Sequence, residues 1–382
     1  MIGLSVPLPS PHTSSTLALT HTPRILMTVD AVGGVWRYAM DLAGAMRPHG
    51  YEFVFAGFGP APSPAQKAEA KGLGELAWFD APLDWTTQHE AELDRIPALL
   101  EQLVDQRDID LVHLNLPSQA AGLSLSVPVL VVSHSCVVTW FAAVRQSGVP
   151  ADWQWQQRRN QAGFDAADAV IAPSNAHAAM LRKSYGAIPA LNVVYNGATL
   201  ASGSSNKDPV VFAAGRWWDD GKNGAVLDQA AEHATWPITM AGATRGPNGQ
   251  SREFHHADLL GELPHGEVME WMGKAAIVAS PSLYEPFGLA PLEAAGAGAA
   301  LVLADNPTYR ELWEGAALFA ACNDPEAFAA AINTLANDAT LRADLAAKAQ
   351  HRAGRYTLAA QSQAMQDVYD HLLQPNPVVR TA

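Results

Sequence analysis

The 382 residues carry 38 acidic against 24 basic side chains, a formal charge of -14 that excludes a general nucleic-acid binder, since that role needs a basic face. At ~150 residues per domain the length predicts two domains, or three, each able to bury a core. With 48% hydrophobic residues, no apolar run near the ~18 residues that cross a membrane, and only Cys136 and Cys322, the chain is expected to be soluble, without a disulfide framework or four-cysteine zinc site, and to work in the cytoplasm.

In chain order, residues 1–22 are rich in Ser, Thr, Pro and His, lack the basic start and apolar core of a signal peptide, and are expected to form a mobile extension. Ile25 to Val29 predicts a strand, Asp30 to Gly34 a loop and Val35 to Met46 a helix. Further buried strands are predicted at Tyr51 to Ala56, Leu111 to Leu114, Val127 to Ser133 and Ala169 to Ala172, with a helix at Pro97 to Gln106. The polar stretch Ala201 to Asp208 is the expected linker. The alternation then restarts. Strands are predicted at Val210 to Ala214, Ile238 to Ala241, Ala275 to Ala279 and Ala300 to Leu303, and helices near Gly224 to Ala234, near Pro291 to Ala297 and over Asp324 to Ala353. Short apolar strands alternating with helices predict an α/β protein of two doubly wound, Rossmann-like domains, 23–200 and 201–355, with ligands in the cleft at the strand carboxyl ends.

The most informative stretch is Ser280 to Ala294, which leaves a strand, passes Pro286 and Gly288 and enters a helix. Free amides at Phe287, Gly288 and Leu289 suit a diphosphate, and Gly288 lets it approach closely. Glu285 and Glu293, the latter expected in the first helical turn, bracket that site and can accept ligand hydroxyls; otherwise they only complement the helix dipole or meet water. After another strand, Arg216 and Lys222 can neutralise a diphosphate without a metal, unless they merely pair with Asp219 and Asp220. In the first half, Gly33 and Gly34 let backbone approach phosphate or sugar, although the run is not a dinucleotide fingerprint. His134 ends a strand facing the same cleft and suits acid/base or sugar-binding work, whereas His113 is expected to be a satisfied core residue. Trp217 and Trp218 are expected to pack. No metal site is expected: Asp108 and Asp110 precede a strand, and His255 to Asp258 suits a solvated turn.

In order and spacing, Gly33-Gly34, His134, Pro173-Ser174, Asn196-Gly197, Gly215-Arg216 with Lys222, and the Glu285-Pro-Phe-Gly-Leu run ending in Glu293 resemble the retaining GT-B glycosyltransferases of the family-4 type, glycosyl transferases group 1. The resemblance covers about residues 24 to 373 and implies a GT-B fold with a central cleft: an acceptor domain, a donor-binding domain, and a terminal helix within 356–375 that crosses back. It implies transfer of a sugar, as a hexosyltransferase, from a nucleoside-diphosphate sugar as co-substrate, with retention of configuration and no cofactor. Arg216 and Lys222 would neutralise the diphosphate, Glu293 would bind ribose, Glu285 and the 287–289 backbone would hold the sugar, and His134 would contact it near the reacting carbon. The base is expected against the backbone of Gly261 to Leu263. A sugar, lipid-linked or small-molecule acceptor is left open, as Trp140, Phe141, Trp153 and Trp155 match no acceptor signature. Gly242 lacks a second glycine close behind it, which weakens its expected contact with the donor. The competing readings are a sugar-nucleotide epimerase on the same fold and an inactive sugar-nucleotide-binding protein; a NAD-dependent oxidoreductase ranks last for want of its glycine fingerprint.

Overall fold

A computed structural model describes residues 21–200, 206–247 and 249–374. Almost all of the expected N-terminal extension, and Ala201 to Ser205 of the expected linker, lie outside the described residues. Seven strands, β1 (Arg24–Asp30), β2 (Glu52–Phe58), β3 (Glu75–Trp78), β4 (Leu111–Leu114), β5 (Val129–Val132), β6 (Ala169–Ala172) and β7 (Leu191–Val193), form one sheet in the order β3-β2-β1-β4-β5-β6-β7. Six more, β8 (Asp208–Ala214), β9 (Ile238–Ala241), β10 (Asp258–Gly261), β11 (Ala275–Ser280), β12 (Ala300–Ala304) and β13 (Leu318–Ala320), form a second in the order β10-β9-β8-β11-β12-β13. Every pairing is parallel. Asp208 opens β8, so the strand begins inside the stretch expected as linker.

The inner strands form because their runs are apolar on both faces: six of the seven residues of β1 are buried, as are all of β4, β5, β6, β9 and β12. One apolar cluster fills each face of the first sheet, and a third fills the second half. The helix Leu358–Leu373, started by the Thr357 hydroxyl on the Ala360 amide, packs on the helix Gly34–Met46 and puts fully buried Met365 and Tyr369 into the first half's core. No helix among the described residues is long and apolar enough to cross a membrane.

Strand order reverses between β1 and β4 in the first sheet and between β8 and β11 in the second. Such switch points open crevices at the strand carboxyl ends, because the loops there leave in opposite directions. The loops after β1, β8 and β11 are those carrying Gly33, Arg216 and Glu285. Direct bonds join the halves: Ser174 Oγ donates to the Pro286 carbonyl (2.6 Å), Trp140 Nε1 donates to Asp219 Oδ1 (2.9 Å), and the Thr139 and Tyr284 hydroxyls meet at 2.8 Å. Glu311 accepts from the amides of Asn175 and Ala176 and from the Tyr195 hydroxyl, capping the helix Asn175–Tyr185 of the other half.

Candidate active site between the two sheets

On the second-half face, the chain leaves β11, turns at Gly288 (φ +93°) and enters the helix Leu289–Gly296. That φ disfavours a side chain, and a Cβ there would lie 2.9 Å from the Tyr309 ring, so glycine is required twice over. No side chain caps this helix. The Phe287 ring is buried against Tyr195 and Tyr356, which leaves only its backbone for a ligand. Glu293 sits in the second turn rather than the first, because the helix starts at Leu289, two residues before Pro291. Its carboxyl is therefore governed first by burial and then by the Asp41 carboxylate, which together push it up to about 7 against the pull of Arg37.

Arg37 and Asp41 lie on the helix Gly34–Met46 of the facing half, so Glu293 looks across the cleft. Arg37 also forms ion pairs with Asp41 and Glu69, both at 2.7 Å. His265, two residues beyond Leu263, feels Arg37, Asp41 and Glu69, which brings the loop after β10 into the same corner. The Leu263 side chain packs on the second core, leaving its backbone for a ligand. Gly242 is held by backbone: a Cβ on it would lie 1.8 Å from the Gly215 carbonyl oxygen, so its lack of a side chain lets the ends of β8 and β9 close up.

Lys222 and Arg216 part company. Lys222 Nζ donates to Glu285 Oε2 at 2.5 Å, with both side chains largely buried. Arg216 lies 3.6 Å from Asp219, sits over the Trp218 ring and reaches the facing half, where a Cβ on Gly33 would stand 3.0 Å from its Nη1. Asp220 pairs instead with Arg145 and Arg252. A guanidinium thus faces the uncapped start of the helix Gly34–Met46, whose free amides are also electropositive. Two positive features held together make an anion site. Trp217 is buried and donates to the Ala241 carbonyl, a packing role.

His134 follows β5. Asn115, after β4, spends its amide nitrogen on the Thr28 carbonyl (2.5 Å), so its Oδ1 can only accept, and His134 Nε2 at 2.8 Å must be the protonated nitrogen. Burial, with His113 and His177 nearby, holds the imidazole down to about 3. It is neutral at pH 7, with Nδ1 free to accept. His113 is only half satisfied: Nδ1 meets the Tyr369 hydroxyl at 2.6 Å, while Nε2 is buried without a partner. Of the four aromatics, Trp155 is core, whereas Trp140, Phe141 and Trp153 form a partly exposed chain of ring contacts.

Sequence reasoning missed Asp30, Asn115, Arg37 and Asp41. Asp30 is buried at the end of β1, and burial raises its carboxyl against the Val32 amide and Arg216, which lower it. A polar residue directly after an apolar strand was the available signal. Asp110 accepts the Arg24 amide, and Asp228 gathers the amides of His255, His256 and Ala257.

Residues 32–202 match Glycosyltransferase Family 4, and residues 250–352 match Glycosyl transferases group 1. The chain is 28% identical over 167 residues to the lipopolysaccharide core biosynthesis mannosyltransferase LpcC of Rhizobium leguminosarum bv. viciae, covering 40% of this chain and 47% of that relative. The match therefore spans about half of the relative's length. In fold, it resembles sucrose-phosphate synthase from Thermosynechococcus elongatus (TM-score 0.77, 17% identity, 92% of this chain and 99% of that one). It also resembles Anabaena Alr3699/HepE, solved in complex with UDP and glucose (TM-score 0.71, 19% identity, 91% and 100%).

Proposed function

Since the chain belongs to the glycosyltransferases of family 4 and group 1, we propose that it moves a sugar from a nucleoside-diphosphate sugar to an acceptor hydroxyl, with retention of configuration and without a metal. The observation that carries this reading is Arg216 of one half set against Gly33 of the other, beside the Lys222–Glu285 pair. The diphosphate sits between Arg216, the 287–289 amides and the start of the helix Gly34–Met46. Lys222 exchanges Glu285 for a phosphate oxygen, which frees Glu285 for sugar hydroxyls. Glu293 takes the ribose, with the base against the backbone of the loop that holds Leu263. Neutral His134 accepts a sugar hydroxyl at Nδ1 and cannot serve as a strong acid, which disfavours the epimerase reading.

In the transfer, the bond from the anomeric carbon to the phosphate oxygen breaks as charge grows on the diphosphate, where Arg216 and Lys222 meet it. The acceptor oxygen bonds to the same face of that carbon, and its proton passes to the departing phosphate oxygen. Once Lys222 has turned to the diphosphate, Glu285 holds the sugar through its hydroxyls. The cationic pair of Arg216 and Lys222 is suited to the charge-neutralising work a divalent ion would do. Two unpaired thiols suit a cytoplasmic setting.

Thermal stabilisation against UDP, GDP, ADP and their sugar conjugates tests the reading. One base is expected to stabilise by about 2.7 kcal/mol at a hundredfold excess over Kd, and Glu293→Ala should abolish the shift. No shift with any nucleotide would overturn it.

A further inference from the structure

A cavity of about 690 Å³ lies at the carboxyl ends of β2 and β3, away from the donor-side loops. Its floor is Gly59 and Pro60, directly after β2, and its walls include Asp80, Glu92 and Arg95. Pro247, from the loop after β9, closes it from the other half, so it lies between the two sheets. The volume falls within the ~300–1,000 Å³ of small-molecule sites.

Two relations tie the cavity to the reacting centre. Asp30 pairs in register with Phe58, so Gly59 emerges about 4.8 Å, one strand spacing, from the loop that runs to Gly33. On the opposite wall, Gly246 next to Pro247 packs on Trp218, and Trp218 lies beneath Arg216.

The lining chemistry selects the ligand. The side chains of Asp80 and Arg95 make no hydrogen bond or ion pair with any described residue, although opposite charges share the cavity; only the Arg95 carbonyl is taken, by the Leu99 amide. Their hydrogen-bonding capacity is therefore available to a guest. Glu92 holds the Thr87 hydroxyl at 2.9 Å and keeps its other oxygen. One cation against two carboxylates leaves the cavity net negative, which repels phosphate and carboxylate. Pro60, Pro82 and Pro247 supply rigid C–H surface of the kind the faces of sugar rings need, but too interrupted by charge to hold an alkyl chain. We propose that this cavity is the acceptor site and takes an uncharged saccharide. The proposal rests on the glycosyltransfer reading and supplies its missing substrate class.

Saturation-transfer NMR on the full chain tests it, with maltose, lactose, cellobiose and mannobiose as neutral probes, glucose 6-phosphate as the anionic probe, 1-octanol as the apolar probe and UDP as a separate arm. A neutral disaccharide is expected to bind, with affinity reduced about tenfold in Asp80→Ala and in Arg95→Ala, as loss of a hydrogen bond to a charged group implies. The UDP signal should be unchanged in both variants. Both residues are exposed, so the variants should fold. The proposal is overturned if none of the disaccharides binds, if glucose 6-phosphate or octanol binds in preference, or if neither substitution weakens the disaccharide. A disaccharide that binds here without any nucleotide signal would sustain the cavity as a saccharide site and sink the donor reading instead.

Discussion

The two faces of the cleft are built differently. On the second-half face, Glu285, the 287–289 amides and Glu293 come from one loop and the helix it enters, with Arg216 and Lys222 from one neighbouring loop. On the first-half face, the polar groups arrive singly from the ends of β1, β4 and β5, as Asp30, Asn115 and His134. The second face is a local motif that an anion can find with few long-range conditions. The first face exists only if the whole sheet is in register, and even then it leans on Tyr369 from the far end of the chain.

The largest expected effect tests that dependence. Tyr369 is fully buried, its hydroxyl meets His113 and its ring packs edge-on against Tyr51 and His113. Tyr369→Ala should cost about 3–5 kcal/mol, as large-to-small aromatic changes in cores do. Urea unfolding followed separately in each half should show the first-half transition moving to lower denaturant and the second holding still. Equal movement of both would break the contrast, because it would mean the halves unfold as one unit.

Next comes Arg216→Ala. The side chain is 39% exposed and weakly paired, so its removal should leave stability nearly unchanged. The rate of transfer, measured as kcat with the donor found in the nucleotide panel, should fall by about 3 kcal/mol, or roughly two orders of magnitude. An unchanged kcat would remove Arg216 from the reaction and leave the contrast between the faces without its chemical meaning.

Glu293 tests the electrostatics across the cleft. Burial and Asp41 raise its carboxyl from the usual 4.5 to about 7 in the folded chain. Between those values the folded state holds the proton more tightly than the unfolded state, so this contribution to stability is full below pH 4.5 and is lost as pH rises through 7. Glu293→Gln should flatten the fall of stability between pH 5 and 8 by on the order of 1–3 kcal/mol. Thermal unfolding across that range checks it, and parallel profiles for the two proteins would refute the burial argument. His134 and His113 tilt the other way: burial holds both down to about 3, so their contribution is present above pH 6.5 and is lost in acid.

The same contrast explains what was legible in the sequence. Every strand it failed to predict, β3, β7, β10 and β13, is an edge strand. These have three or four residues and are half exposed, so no apolar run marks them, whereas β4, β6 and β9 were read with their observed bounds because both faces are buried. The Glu285 to Glu293 motif was readable for a related reason, since its parts lie within one loop and one helix. The error there was one of phase: Pro291 suggested a helix start, but Gly288 caps the helix and Leu289 begins it, which moved Glu293 from the dipole to a buried corner. Asp30 and Asn115 carried the same signal as His134, a polar residue directly after an apolar run, but their roles depend on contacts with other strands and loops, such as the Thr28 carbonyl for Asn115 and Arg216 for Asp30.

Ser174 is where the two faces meet. It is fully buried, caps the helix Asn175–Tyr185 by accepting the His177 amide at 3.0 Å, and donates to the Pro286 carbonyl at 2.6 Å, one residue from Glu285. Ser174→Ala should cost about 1 kcal/mol as a lost cap. It should also release the loop that carries Glu285, so that stabilisation by the preferred nucleotide falls. Asp324→Ala provides the comparison, since it removes a cap of similar kind from the helix Pro325–Asn337 without touching that loop. If both variants lose the same stability but only Ser174→Ala weakens the nucleotide shift, the first half positions the Glu285 to Glu293 motif through this hydroxyl. If the nucleotide shift survives in both, the motif organises itself, and the second face is more independent of the first than the bonds between them suggest.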